Sequence, residues 1–261
     1  MNTYLQRFRM DGKVAVITGG GRNIGLACGQ ALAEAGASVV ITDIDPQLAK
    51  EGCQSLRDAG FKAESITMDV TDSARVEAAA DEIEKRHGHV DVLVCSAGVL
   101  IRSVAAEDVP DDLWLKVIDI NLNGVFRCCR TFGKRMLARG KGSIVNIGSM
   151  SGFIVNKQTP SCYYNAAKAG VHHLTKCLAS EWGARGVRVN AVAPTYIETS
   201  MTKPMMEDPN LGLLQQWVDM IPMGRVGQPD EIASAVLFLA SDAASLITGD
   251  IVLVDGGYTC W

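Results

Sequence analysis

Apolar residues along this chain change period repeatedly. Val14 to Ile17 is a short apolar run, a Gly-rich turn follows it, and from about Ile24 to Ala35 the apolar positions recur at helical spacing until Gly36. That pattern predicts a strand, a turn and a helix. A second run, Ser38 to Thr42, ends at Asp43 and gives way to a helix with Leu48, Cys53 and Leu56 on one side, closed by Gly60. Further runs at Ala63 to Met68, Val90 to Cys95, Ser143 to Ile147, Val187 to Val192 and Ile251 to Val254 alternate with helical stretches, predicting about seven strands. Short β-branched runs without polar alternation suit a parallel sheet covered on both faces, because neither face then meets water. The predicted class is α/β, a doubly wound parallel seven-stranded sheet with helices on both faces.

Nothing in the sequence divides this pattern. No Pro-, Ser- or charge-rich linker, repeat or low-complexity segment interrupts residues 1–261, so a single domain is expected. The exception to the alternation is the region from Thr195 to Arg225, where Pro204, Pro209 and Pro222 punctuate a Met-rich, weakly helical stretch. A loop or small lid over a ligand crevice is the expected role, since long irregular insertions are usually functional. With 48% hydrophobic and 21% charged residues the chain has the profile of a globular protein. A formal charge of -4 gives no field that would draw nucleic acid or an anionic membrane. The eight cysteines lack CxxC spacing and read as small buried hydrophobes in a reducing compartment, and no metal site is expected. Without an apolar leader or a run long enough to span a bilayer, the expected location is cytoplasmic.

Chemistry enters at Thr18-Gly19-Gly20-Gly21-Arg22-Asn23-Ile24-Gly25, directly after the first strand. Glycines there let the backbone turn sharply and bring its amides, with the positive end of the next helix, close to a pyrophosphate. Asp43, at the end of the second strand, offers a carboxylate to ribose hydroxyls and repels a 2′-phosphate, which favours NAD. Arg22 pulls the other way, because a guanidinium in the loop suits the extra phosphate of NADP.

Tyr164 and Lys168 stand one helical turn apart in Tyr164-Asn165-Ala166-Ala167-Lys168 and share a helix face. A cation beside the phenol is expected to lower its pKa from the usual ~10 into a range useful for proton transfer. Tyr163 competes for the role, although its spacing to Lys168 turns it about 140° away around the helix. Ser149 follows the strand Ser143 to Ile147 at the end where ligands of doubly wound sheets bind, and its hydroxyl can hold a substrate oxygen near the phenol. Ser151 is its rival. Ser151 and Asn156 also bring further polar groups to the predicted reacting centre, which suits a polyhydroxylated substrate and disfavours an apolar one. His172 and His173 are expected on far faces of the helix or at a subunit contact.

These motifs together resemble the short-chain dehydrogenase/reductase family. The loop TGGGRNIG is similar to that family's TGxxxGxG signature, with Asn23 in place of a glycine, and NIGS ending at Ser149 is similar to its catalytic serine motif. The resemblance runs from about Lys13 to Gly257 and implies a Rossmann-like fold. It also implies that Asp69 and Val70 bind the adenine side of the cofactor, that Ala97 in Cys95-Ser96-Ala97-Gly98 lies against it, and that Asn121 joins Ser149, Tyr164 and Lys168 in a catalytic tetrad. In RVNAVAPTYIET it places Pro194, Ile197 and Thr199 against the nicotinamide, with Thr195 where the family has glycine. The implied reaction is hydride transfer between a carbinol carbon and a nicotinamide. Tyr164 is the acid/base, and Lys168 orients the nicotinamide ribose. The stretch from Ser149 to Asn156 and the ending DGGYTCW resemble the polyol and sugar-alcohol branch, including galactitol- and sorbitol-type dehydrogenases. That branch implies a polyol or ketose substrate held by Ser151 and Asn156, and a homotetramer. Two other readings stay open: a 3-oxoacyl thioester reductase using NADPH, and a catalytically silent dinucleotide-binding regulator.

Overall fold

The structure is a computed structural model that describes residues 3–101, 103–157, 159–208 and 211–261. Seven strands appear in chain order as β1 (Val14–Thr18), β2 (Ser38–Asp43), β3 (Ala63–Thr67), β4 (Val92–Cys95), β5 (Gly142–Ile147), β6 (Val187–Pro194) and β7 (Ile251–Val254). They alternate with α1 (Asn23–Glu34), α2 (Pro46–Asp58), α3 (Ser73–His87), α4 (Asp111–Ile118), α5 (Gly124–Arg139), α6 (Cys162–Trp182), α7 (Lys203–Glu207), α8 (Leu213–Met220) and α9 (Pro229–Ala240). The strands form one parallel sheet in the order β3-β2-β1-β4-β5-β6-β7. The winding reverses between β1 and β4, which opens a crevice at their carboxyl ends.

Burial along β1 explains why the sheet needs two covers. Val14 and Val16 pack with Ile83 of α3, Phe132 of α5 and Val171 of α6 on one face. Ala15 and Ile17, pointing the other way, pack with Leu32 of α1, Leu56 of α2 and Val236 of α9. Each of these clusters is continuous across the sheet, and truncating a fully buried aromatic such as Phe132 typically costs ~3–5 kcal/mol.

Strand limits follow from pairing as well as hydropathy. The fourth strand starts at Val92, within its apolar run; just before it Asp91 bonds to both neighbouring strands through its backbone, and its carboxylate accepts the Val14 N–H at 2.9 Å and binds Arg139. Several helices are closed by their own side chains. Asp45 accepts from the amides of Gln47 and Leu48 at the start of α2, Asp72 does the same for Ala74 and Arg75 in α3, and Gln228 with Glu231 forms a capping box on α9. Helix α1 differs, since its N-cap residue Arg22 makes no such bond and its first-turn residues Asn23, Ile24 and Gly25 line the crevice.

The irregular region from Thr195 to Arg225 holds two short helices, α7 and α8. Pro204 does not break the first of them, because it occupies the opening turn where no amide hydrogen is needed. Pro209 lies outside the described residues. All eight cysteines are free thiols, but the expectation that they are buried holds only for Cys28, Cys53, Cys95, Cys128 and Cys129. Cys162, Cys177 and Cys260 are exposed. Among the described residues, no helix is long and apolar enough to cross a membrane.

Candidate active site

The crevice is a cleft of about 810 Å³, within the range of small-molecule sites. Of the site candidates singled out above, all but the competing phenol Tyr163 line it: Gly19, Arg22, Asn23, Ile24, Gly25, Asp43, Asp69, Val70, Ala97, Asn121, Ser149, Ser151, Asn156, Tyr164, Lys168, Pro194, Ile197 and Thr199.

At one end lies the glycine loop. Gly25 sits so close to the turn that an added Cβ would fall 2.2 Å from the Gly19 carbonyl oxygen, and one on Gly19 would fall 2.7 Å from the Ala97 backbone. These contacts keep the loop as bare backbone: the Gly20 and Gly21 amides tie it to the end of β2, donating to the Thr42 carbonyl and to Asp43, Gly19 and Gly25 line the cleft, and the start of α1 carries no side-chain cap. Such a loop fits a dinucleotide pyrophosphate. Asn23 has a left-handed backbone (φ 51°), which asparagine tolerates better than most residues. Its side chain reaches across the cleft mouth, donating to Ser200 Oγ at 2.8 Å and accepting from the Ser200 amide at 3.2 Å. Asp43 closes β2 with one carboxylate oxygen accepting from Gly21 N–H at 3.3 Å and the other from Asp45 N–H at 3.2 Å. Asp69 is anchored by Thr71, whose amide and hydroxyl both donate to its Oδ1. Arg22 is exposed at the rim.

At the other end α6 and the turn after β5 meet. Tyr164 and Lys168 lie on one face of α6, with Lys168 Nζ 5.7 Å from the Tyr164 ring centroid and donating to the Ile147 carbonyl at 2.7 Å. Tyr163, the competing phenol, is fully buried beside Leu113 and Val117 and does not line the cleft. Lys168 is only 5% exposed, and burial brings its pKa down to about 8. The expectation that the cation lowers the tyrosine pKa does not hold. Desolvation pushes the Tyr164 phenol above its ordinary value, and the neighbouring Ser149 hydroxyl pulls it partway back. Burial therefore favours the protonated phenol, and a sequence shows neighbours without showing burial.

The two serines separate by their partners. Ser149 influences Tyr164 and accepts the Ser151 amide hydrogen at 3.1 Å, whereas the Ser151 hydroxyl turns to Asn156 Oδ1 at 2.5 Å. Asn121 sits in a π-helical turn, Asp119–Asn123, and staples the backbone of Val99 in both directions, accepting its N–H and donating to its carbonyl at 2.8 Å each. With its amide committed in this way, Asn121 shapes the wall after β4.

His172 overturns the placement on a far helix face. It is 5% exposed, and its Nε2 accepts the Ser149 amide hydrogen at 3.4 Å. Its ring fills a notch that only glycine leaves open, since a Cβ on Gly148 or Gly152 would fall 2.4 or 2.5 Å from it. Burial, helped by the Lys168 charge, lowers its pKa to about 4, so the imidazole is neutral and able to accept. The reason is periodicity: 164, 168 and 172 are spaced by four, so what places Lys168 under Tyr164 also places His172 under Ser149. His173, the next residue, is exposed. A buried amide fixes the register of α6 on the sheet, as Asn146 of β5 donates to Thr175 Oγ at 3.0 Å.

Sequence reasoning also missed Tyr196. It lines the cleft, accepts from Asn156 Nδ2 at 3.0 Å, and stacks on Trp217 of α8 with ring centroids 3.9 Å apart. Its position in the segment RVNAVAPTYIET was a signal of proximity. Its stacking partner, 21 residues further on, was not readable.

A doubly wound sheet with a glycine loop at its switch point and a Ser-Tyr-Lys group in the same cleft defines an oxidoreductase of the dinucleotide-binding class. A family model described as enoyl-(acyl carrier protein) reductase matches residues 19–259. The chain is 51% identical over 259 residues to a galactitol 2-dehydrogenase of Rhizobium johnstonii, covering 99% of this chain and 100% of that one. It is 41% identical to a D-threitol dehydrogenase of Mycolicibacterium smegmatis, covering 97% and 95%. The crystal structure of a gluconate 5-dehydrogenase from Burkholderia cenocepacia J2315, in complex with NADP and tartrate, superposes with a TM-score of 0.93 at 38% identity, covering 99% and 100%. The chain belongs to the short-chain dehydrogenase/reductase family and is an NAD(P)-dependent dehydrogenase acting on CH–OH groups.

Proposed function

We propose that this enzyme interconverts a secondary alcohol of a polyol and the corresponding ketose. The observation that carries the reading is that Ser149, Tyr164 and Lys168 share one cleft with the glycine loop, with Ser151 and Asn156 adding polar groups beside them. The galactitol and threitol names of the relatives support the substrate class. A nicotinamide dinucleotide supplies the hydride acceptor or donor when bound. Gly19, Arg22, Asn23, Ile24 and Gly25 are the residues to hold its phosphates, Asp43 its ribose, Asp69, Val70 and Ala97 its adenine half, and Pro194, Ile197 and Thr199 its carboxamide. NAD is the preferred form, because Asp43 meets a 2′-phosphate with a negative charge and the adjoining Ile44 offers no cation. Arg22 leaves NADP usable.

Within the protein the work is proton handling. Ser149 donates to the substrate oxygen and sets it beside Tyr164, which takes the hydroxyl proton during oxidation and returns it during reduction. Lys168 adds positive charge beside the phenol, and its half-charged state near pH 8 lets it answer that proton movement. Asn121 and His172 are positioning residues that hold the walls after β4 and β5. The segment from 195 to 225 is a lid, with the Asn23–Ser200 pair as its catch. Exposed apolar side chains on α4 and α5, Trp114, Leu115 and Phe126, favour assembly into a homotetramer through these helices and α6. The five buried free thiols suit a cytoplasmic location.

Purified protein titrated with alditols, ketoses and acetoacetyl thioesters against NAD(H) and NADP(H), followed by nicotinamide absorbance, tests the reading. Turnover of alditols and ketoses is expected, lost in Tyr164→Phe while dinucleotide binding survives. Turnover confined to thioesters, or a fully active Tyr164→Phe, would refute it.

A further inference from the structure

Tyr196 has more supports than a wall residue needs. Its ring is clamped face to face on Trp217 at an interplanar angle of 4°, and Tyr258 meets it edge-on at 5.8 Å. Its hydroxyl accepts from Asn156 Nδ2, and Asn156 Oδ1 accepts from the Ser151 hydroxyl. The chain therefore has a direction. Ser151 spends its hydrogen inward and faces the cleft as an acceptor, while the phenol at the far end keeps its own hydrogen, with the hydroxyls of Thr159 and Tyr258 as its other protein neighbours. Burial holds the Tyr196 pKa at about 12, so that hydrogen stays in place throughout the working range of an enzyme.

We propose that Tyr196 is a specificity-determining residue, donating its phenol hydrogen to a substrate hydroxyl on a carbon beyond the one being oxidised. The proposal rests on the polyol reading of the same site. A substrate hydroxyl can both give and take, so it satisfies an acceptor at Ser151 and a donor at Tyr196 on successive carbons. An alcohol with no hydroxyl beyond the reacting carbon leaves the phenol hydrogen to its protein neighbours Thr159 and Tyr258 and gains nothing from it, whereas a polyol gains a hydrogen bond there. The aromatic clamp makes the donor rigid, so little ordering is lost when the substrate arrives.

Tyr196→Phe tests this, because the stack on Trp217 needs only the ring. The readout is the ratio of kcat/KM for a six-carbon alditol to that for a simple secondary alcohol, propan-2-ol. Both are measured on one preparation, so any inactive fraction cancels. The ratio is expected to fall about tenfold in the variant, through KM for the alditol with kcat within about twofold. Equal losses on both alcohols, or no loss on either, would overturn the role of Tyr196 while leaving the polyol reading intact. A wild-type enzyme that turns over propan-2-ol but no alditol would overturn both.

Discussion

Burying an ammonium group is costly, and Lys168 allows the cost to be measured. The fall of its pKa from 10.5 to about 8 corresponds to ~3 kcal/mol of unfavourable folding free energy in the charged form. Its sign follows from proton counting. Between pH 8 and 10.5 the unfolded chain holds the lysine proton more tightly than the folded one, so stability rises with pH across that window. Below pH 8 both states are protonated and the full penalty applies. Lys168→Met removes the penalty but leaves the Ile147 carbonyl, now bonded at 2.7 Å, without its donor, a loss of ~1–3 kcal/mol. The variant should therefore be inactive, yet at pH 7 equal to the wild type in stability or better by up to ~2 kcal/mol, a few degrees in Tm. By pH 10 it should be the less stable protein. Urea unfolding of both proteins without dinucleotide, at pH 7 and pH 10, provides the test. A difference between them that does not change with pH would refute the reasoning, because only the titration of this lysine separates the two curves.

Asn23→Gly keeps the left-handed turn of the glycine loop and deletes both bonds to Ser200, so docking of the lid should weaken by ~1–2 kcal/mol. Limited proteolysis between residues 199 and 220 should speed up several-fold, and unchanged cleavage would remove the catch from the account. His172→Leu strips the Ser149 amide of its acceptor and should lower kcat about tenfold with little change in dinucleotide binding. His172→Gln, which can restore an acceptor, should recover part of that loss. Equal activity in the two variants would reduce His172 to a space-filling role.

Much of this is legible in the sequence. The runs of β-branched residues located every strand, because a doubly covered sheet leaves no polar alternation to confuse the reading. The Tyr164–Lys168 spacing and the TGGGRNIG loop placed the two ends of the cleft for a similar reason, each being local geometry that follows from neighbours in sequence. The same local rule applied to His172 would have found it. Other features depend on burial or on distant partners. The direction of the Tyr164 pKa turns on desolvation, the choice between Ser149 and Ser151 on which hydroxyl meets Asn156, and the importance of Tyr196 on a tryptophan from a separate helix. The tie of the Asp91 carboxylate to the Val14 amide is another such feature, a contact between segments 77 residues apart.

The ridge of α6 that carries Tyr164, Lys168, His172 and Thr175 is one continuous helix pinned to the sheet through Asn146. Groups that would recognise the rest of a substrate sit elsewhere, Ser151 and Asn156 on the turn beyond β5 and Tyr196 where the chain leaves β6. Proton chemistry and substrate choice are thereby housed on separate pieces of backbone. Rebuilding the turn or the lid can retarget the enzyme to another alcohol while the acid/base machinery stays in register.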